Sequence, residues 1–178
     1  MKSLKILILI FILLSGCLSF HSSKEYYHGK VVKVVDGDTI YVNVNGSLWK
    51  IRLLGVDCPE IHKKNNPYEY KIDGKYITNL TYLYIWGLKA KEFAERELDH
   101  HEVLIAFDPE APKEDRYGRY LAYIYINKSG KLINFNEELL KYGYARVYIS
   151  KFTLLHKFLE LEKEAKRERR GMWNYENT

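Results

Sequence analysis

Two cysteines in 178 residues are too few for a disulfide-stapled scaffold, and four prolines are too few for an extended Pro-rich chain. No apolar run approaches the roughly 20 residues that a helix needs to cross a bilayer; the longest is the nine-residue stretch Ile6 to Leu14. No set of His and Cys has zinc-site spacing, and there are no internal repeats. The charge is only mildly one-sided. Lys and Arg total 28 against 23 Asp and Glu, a net +5 with a pI near 9.0, which permits a polyanionic partner without requiring one. What the chain does have is a globular composition, 47% hydrophobic and 29% charged, with 16 tyrosines. The length suits one ordinary domain and excludes a multidomain machine.

The first residues differ from the rest. Lys2 and Lys5 precede the apolar run, and Ser15, Gly16 and Cys17 follow it. A basic start, a short apolar stretch and small residues predict a secretory signal; an uncleaved anchor is the alternative. Leu14-Ser15-Gly16-Cys17 resembles the lipobox of bacterial-type lipoproteins, which implies cleavage after residue 16 and lipidation of Cys17. The expected organisation is a lipoprotein-type signal peptide over 1–16, a polar tether over 17–27 and a single domain over 28–175.

Within that domain, Lys30–Val35, Thr39–Val44 and Leu48–Val56 have strand character. Asp36-Gly37-Asp38 marks a turn, and Asn45-Gly46 is a strong hairpin signal. Val103–Phe107 and Tyr120–Ile126 are further strands, with Asn127–Lys131 closing a second hairpin. Ala90, Phe93, Ala94 and Leu98 share one face of a helix over Leu88–Leu98. Asn134 caps a second helix whose third position is Glu137 and whose end is Gly143. Leu154, Phe158, Leu161 and Ala165 stripe a third, over Phe152–Arg170. The expected fold class is α+β, a small closed or partly open barrel with helices inserted late. Residues 65–87 follow no single period.

Several residues carry chemistry. Asp38, in a tight turn, and Asp57, at the end of the third strand, can meet at one rim of a barrel. Two neighbouring carboxylates repel unless a cation lies between them, and a hard cation such as Ca²⁺ takes oxygen ligands and completes its shell with water. Glu60 is then free to act as a general base. Arg119 precedes a strand, where its planar guanidinium can grip a phosphate. Arg52 lies five residues before Asp57; that odd offset points the two to opposite faces of a pleat unless a bulge or strand end intervenes. Tyr117 and Tyr148 can stack on a base or donate to a phosphate. Each has a plainer explanation, turn chemistry for Asp-Gly-Asp and solvated surface charge for each arginine.

Three separated segments, Val35-Asp36-Gly37-Asp38-Thr39, Ile51 to Glu60 and Asp115 to Tyr123, together with the ending Glu160 to Trp173, resemble the staphylococcal nuclease (thermonuclease) family, in the same order over about residues 28–174. The resemblance implies a five-stranded OB-type β-barrel with three α-helices. It implies a calcium-dependent phosphodiesterase of DNA and RNA, preferring single-stranded or frayed substrate, that cleaves the 5′ P–O bond and leaves 3′-phosphates. Asp38 and Asp57 match the calcium carboxylates, and Cys58 stands where a Thr lends its backbone carbonyl. Glu60 matches the general base, and Arg52 and Arg119 the arginines that hold the scissile phosphate. Arg116 and Tyr117 match substrate contacts, Tyr148 lies near a second phosphate-contacting tyrosine with its register off by one, and Asp36 matches an acidic neighbour of the metal. The chain departs from the family most between His62 and Leu88, a connection longer than the usual one, which could reshape substrate access or product size. The expected protein is a monomer, exported and held at the outer face of the membrane through Cys17. A non-catalytic OB-type nucleic-acid-binding module is the alternative, and a surface adhesin a third.

Overall fold

A computed structural model describes residues 25–176; the expected signal peptide over 1–16, Cys17 and most of the expected tether lie outside the described residues. Strand β1 (Tyr27–Asp36) is long and irregular. Its first half pairs with β7 (Glu102–Ala106), and its second half pairs with β2 (Thr39–Val44) through two register shifts. Such shifts bend a strand and let it serve two sides of a barrel. Strand β2 continues into β3 (Ser47–Leu53) through Asn45 and Gly46, both at positive φ, the geometry of a two-residue hairpin turn. Strand β7 pairs with β8 (Tyr120–Lys128), and β8 closes the ring by running parallel to β3. The barrel order is therefore β3-β2-β1-β7-β8 and back to β3, with β9 (Lys131–Asn134) hairpinned onto β8. Three helices complete it: α1 (Leu80–Leu98), α2 (Phe135–Lys141) and α3 (Leu155–Arg167). This is an OB-type α+β fold.

The expected third strand, Leu48–Val56, is two elements. Strand β3 stops at Leu53, the chain turns at Leu54-Gly55, and a short β4 (Val56–Asp57) pairs with β10 (Arg146–Val147). Gly55 has a φ of +76°, and the ring of Phe152 would lie 2.6 Å from an added Cβ, so only glycine fits the turn. The second helix behaves as its cap predicts: Asn134 accepts hydrogen bonds from the N–H groups of Asn136 and Glu137, and Gly143 lies at positive φ. The first helix begins two turns before the expected Leu88, capped by Asn79, whose side chain accepts from the Tyr82 N–H. The third is shorter than Phe152–Arg170, because Phe152 is buried outside it in the barrel core.

The aperiodic stretch is folded. Pro67–Glu69 forms a 3₁₀ turn, and β5 (Lys71–Ile72) and β6 (Lys75–Tyr76) form a small hairpin. Tyr70, Ile72 and Ile77 pack with Leu83 of α1, Ala165 of α3 and the C-terminal Met172 and Trp173. This second core is separate from the main one, which fills the barrel with Val31, Ile40, Ile51, Leu53, Ile105 and Ile124 and runs under Phe135 and Phe158.

Candidate active site

The site is assembled at one rim by two turns. The Asp36-Gly37-Asp38 turn is pressed against its surroundings: a Cβ on Gly37 would meet the Ala90 Cβ and the Cys58 Sγ, each at 2.7 Å. Its polar groups are paired inward. Asp38 N–H donates to Asp36 Oδ1 at 3.2 Å, Thr39 Oγ1 donates to Asp38 Oδ1 at 3.2 Å, and Cys58 N–H donates to Asp38 Oδ2 at 2.7 Å. Asp38 is only 4% exposed, and a carboxylate so buried is tolerated because its oxygens are satisfied.

Arg52 is the hub. It faces Thr39 across the β2–β3 ladder; Nη1 pairs with Asp38 Oδ1, and Nη2 with Asp57 Oδ1 at 2.5 Å. The sequence offset had set Arg52 and Asp57 on opposite faces. The turn at Leu54-Gly55 ends the pleat between them, so the alternation does not carry through. Asp57 is held from its other side by Arg146, which reaches over from β10, with Nη2 at 2.7 Å from Asp57 Oδ2.

Glu60 follows in the same loop, clamped through its backbone. Its N–H donates to Asn65 Oδ1 at 2.7 Å, and Asn65 Nδ2 donates back to the Glu60 carbonyl at 2.9 Å. The Glu60 carboxylate pairs with Lys63 Nζ at 2.9 Å. That hydrogen bond, the charge of Glu60 and, more weakly, that of Asp57 raise the Lys63 pKa against burial and Arg52, which lower it.

Arg119 stands two residues before Leu121, which registers with Arg52 across the parallel β3–β8 pair; alternation therefore places both arginines on one face of the sheet. Asp115 holds Arg119 through Nε at 2.7 Å and Nη2 at 2.6 Å, and accepts the N–H groups of Tyr117 and Arg119 as well. Burial alone would push Asp115 up, but these hydrogen bonds outweigh it and leave its pKa below the ordinary value. The exposed Tyr117 ring lies under both Arg116 and Arg119, at 4.8 and 5.5 Å. Tyr148 is exposed too, its N–H donating to the Gly55 carbonyl at 3.0 Å beside β4.

Among the described residues no group of three or more His, Cys, Asp or Glu side chains is arranged to hold a metal ion. At this rim the carboxylates of Asp38 and Asp57 are joined through the one guanidinium of Arg52. Their chemistry is that of hard oxygen donors. Cys58 is buried, and burial drives its thiol pKa well above the usual value against the opposing charge of Arg52. A donor set of two carboxylates, supplemented by backbone carbonyl and water, fits calcium and does not fit zinc.

Sequence reasoning missed two residues here. Arg146 had one available signal, a cation between Ala145 and Val147 in an otherwise apolar run. Asn65 had none, because a side chain that clamps a backbone five residues away has no periodicity.

A closed five-stranded barrel with three helices puts the chain in the OB-type class, whose members bind oligonucleotides or oligosaccharides. The staphylococcal nuclease homologue family matches residues 50–175. An uncharacterised protein of Methanocaldococcus jannaschii is 59% identical over 198 aligned positions, covering 99% of this chain and 96% of that protein. The thermonuclease of Staphylococcus hyicus is 32% identical, covering 82% of this chain and 75% of its own; that of Staphylococcus intermedius is 31% identical, covering 96% and 92%. The chain belongs to the staphylococcal nuclease family.

Proposed function

We propose that the protein is a calcium-dependent nuclease that hydrolyses phosphodiester bonds of DNA and RNA by 5′ P–O cleavage. The observation that carries this reading is the Arg52 guanidinium joined to both Asp38 and Asp57, with Glu60 three residues further along the same loop. Family membership and relatives named as nucleases support it. Asp38 and Asp57, with the Cys58 carbonyl, would hold the cation, which when bound supplies positive charge beside the phosphate. Glu60 takes a proton from the attacking water as oxygen bonds to phosphorus, and the 5′-oxygen departs with the bonding pair and is protonated by solvent. Arg52 and Arg119 neutralise the charge that grows on the phosphoryl oxygens. Arg116, Tyr117 and Tyr148, the two tyrosines exposed, would contact flanking phosphates and bases. Both arginines are carboxylate-bound in the structure, so substrate must compete for them. Only two of the five N–H donors of each are committed in these pairs.

The test is digestion of single-stranded DNA and RNA with added Ca²⁺ and with chelator. Cleavage that requires Ca²⁺, leaves 3′-phosphates and is lost in Glu60→Gln is expected. Binding without cleavage would instead establish the non-catalytic module. We further propose export and lipidation at Cys17, which would present the domain outside the cell, where free nucleic acid is the available substrate. Fractionation of wild type against Cys17→Ser checks it: the variant should leave the membrane fraction.

A further inference from the structure

We propose that the segment following Glu60 carries a base-stacking platform for single-stranded nucleic acid, built from Tyr68 and Tyr76. This rests on the nuclease reading and extends it to a stretch of chain with no assigned role. Tyr68 is 72% exposed and Tyr76 40%. Their ring centroids lie 5.4 Å apart at an interplanar angle of 81°, an edge-on pair that leaves ring surface open. The rings of Tyr70 and Tyr123 are buried; Tyr68 and Tyr76 stay open while in contact with each other. An exposed tyrosine pair on a folded element is the arrangement on which unpaired bases stack without regard to sequence.

The platform is held in place. Asn66 accepts the Tyr68 N–H at 3.2 Å and starts the 3₁₀ turn, Tyr70 is buried in the second core, and the hairpin pairs Lys71 with Tyr76. It is also tied to the candidate active site. Glu69, the neighbour of Tyr68, lies 3.5 Å from Arg146 Nη2, the same nitrogen that pairs with Asp57. The Arg146 guanidinium sits over the Tyr70 ring at 5.6 Å. An arginine keeps its charge across the working pH range, so the cation that links the two regions is permanent.

The charge suits a polyanion. Lys64, Lys71 and Lys75 are exposed on this segment, and Lys71 Nζ lies 5.4 Å from the Tyr76 ring centre. The two nearby acids are engaged, Glu69 with Arg146 and Asp73 with Arg169. Duplex DNA keeps its base faces stacked on one another, so the platform selects single strands or frayed ends.

The experiment compares wild type, Tyr68→Ala/Tyr76→Ala and Tyr68→Phe/Tyr76→Phe on a single-stranded DNA of about 20 nucleotides and on a thymidine dinucleotide. Stacking on aromatic rings contributes enough per base that the Ala variant should raise KM about tenfold on the long strand with kcat unchanged. On the dinucleotide, which holds one phosphodiester and no run of flanking bases, all three proteins should agree, and the Phe variant should match wild type on both. Equal KM for wild type and the Ala variant on the long strand overturns the platform. So does a Phe variant as weak as Ala, which would make the hydroxyls the operative groups, or an equal loss on both substrates. Wild type that cleaves neither substrate would overturn the nuclease reading instead. Fluorescence anisotropy of the same strand in chelator then decides the platform alone: a Kd about tenfold weaker in the Ala variant supports it, and an unchanged Kd refutes it.

Discussion

The two carboxylate oxygens of Asp57 face two different kinds of structure. On one side Arg52 comes from β3, in the middle of a closed barrel whose strands are paired on both edges and whose interior is filled by its own alternating residues. On the other, Arg146 links to Glu69 and Tyr70 in a small appendage with a two-residue-per-strand hairpin and a core borrowed from α1, α3 and the C-terminus. The barrel makes geometry precise through many mutually supporting contacts. The appendage reaches the same carboxylate through a few. A catalytic group positioned from the barrel side should therefore survive loss of the appendage, and the appendage should be the more readily opened unit.

The largest effect that separates the two is on stability. Phe158→Ala, which empties a buried position under the barrel, should cost about 4 kcal/mol and lower the temperature of the whole unfolding transition. Tyr70→Ala should instead raise amide exchange over 66–77 while the barrel strands keep their protection. Loss of protection in β1 and β8 of the Tyr70 variant would show one cooperative unit and erase the distinction.

Next comes chemistry. Glu60→Gln and Arg119→Ala should each reduce turnover by at least about 10²-fold without unfolding the domain, because both side chains lie at a polar rim. Near-normal turnover in either variant would remove that residue from the mechanism. Asn65→Ala should have a smaller effect, about tenfold on kcat, by freeing the backbone of Glu60 from its clamp; its pH profile should keep the wild-type shape, since the base itself is unchanged.

The contrast in legibility follows the same division. The cap at Asn134, Glu137 and Gly143, and the Asn45-Gly46 turn, could be read directly because their physics is local: a side chain satisfies an N–H two or three residues away, or a backbone needs positive φ. The barrel strands were legible because alternation records burial. The span 65–87 was not, because Tyr70 and Ile77 are buried by Met172 and Trp173 from the far end of the chain, and no local period encodes a distant partner. Helix α1 lost its first two turns to the same cause, since Leu83 faces the second core rather than the barrel.

The smallest effect is at acid pH. Burial tends to raise the Asp108 pKa, but hydrogen bonds from Thr153, the Glu110 N–H and Tyr123 outweigh it and hold it below the ordinary value. A depressed carboxylate stabilises the fold fully above its unfolded pKa, near 4, and that stabilisation is lost as pH falls through the lower folded value. Asp115 adds in the same direction. Urea midpoints should therefore be flat from about pH 7 to 5 and fall below about pH 4, less steeply in Asp108→Asn. A variant with the wild-type acid slope would exclude Asp108 as its source.

Alternation, turn chemistry and helix stripes by themselves pointed to five strands and three helices in a small closed or partly open barrel, with Asp38 and Asp57 able to meet at its rim, because each of those signals arises within a few residues. The OB-type closure and the place of Arg52 in the site came from the family resemblance. Only the tertiary structure decided that Arg52 joins Asp38 to Asp57, that Arg146 closes on the same carboxylate, and that the stretch after Glu60 is a folded appendage with two open tyrosines. Those outcomes depend on where a turn breaks a pleat and on which distant side chains arrive to cover a buried ring, and neither is written in any short span of chain.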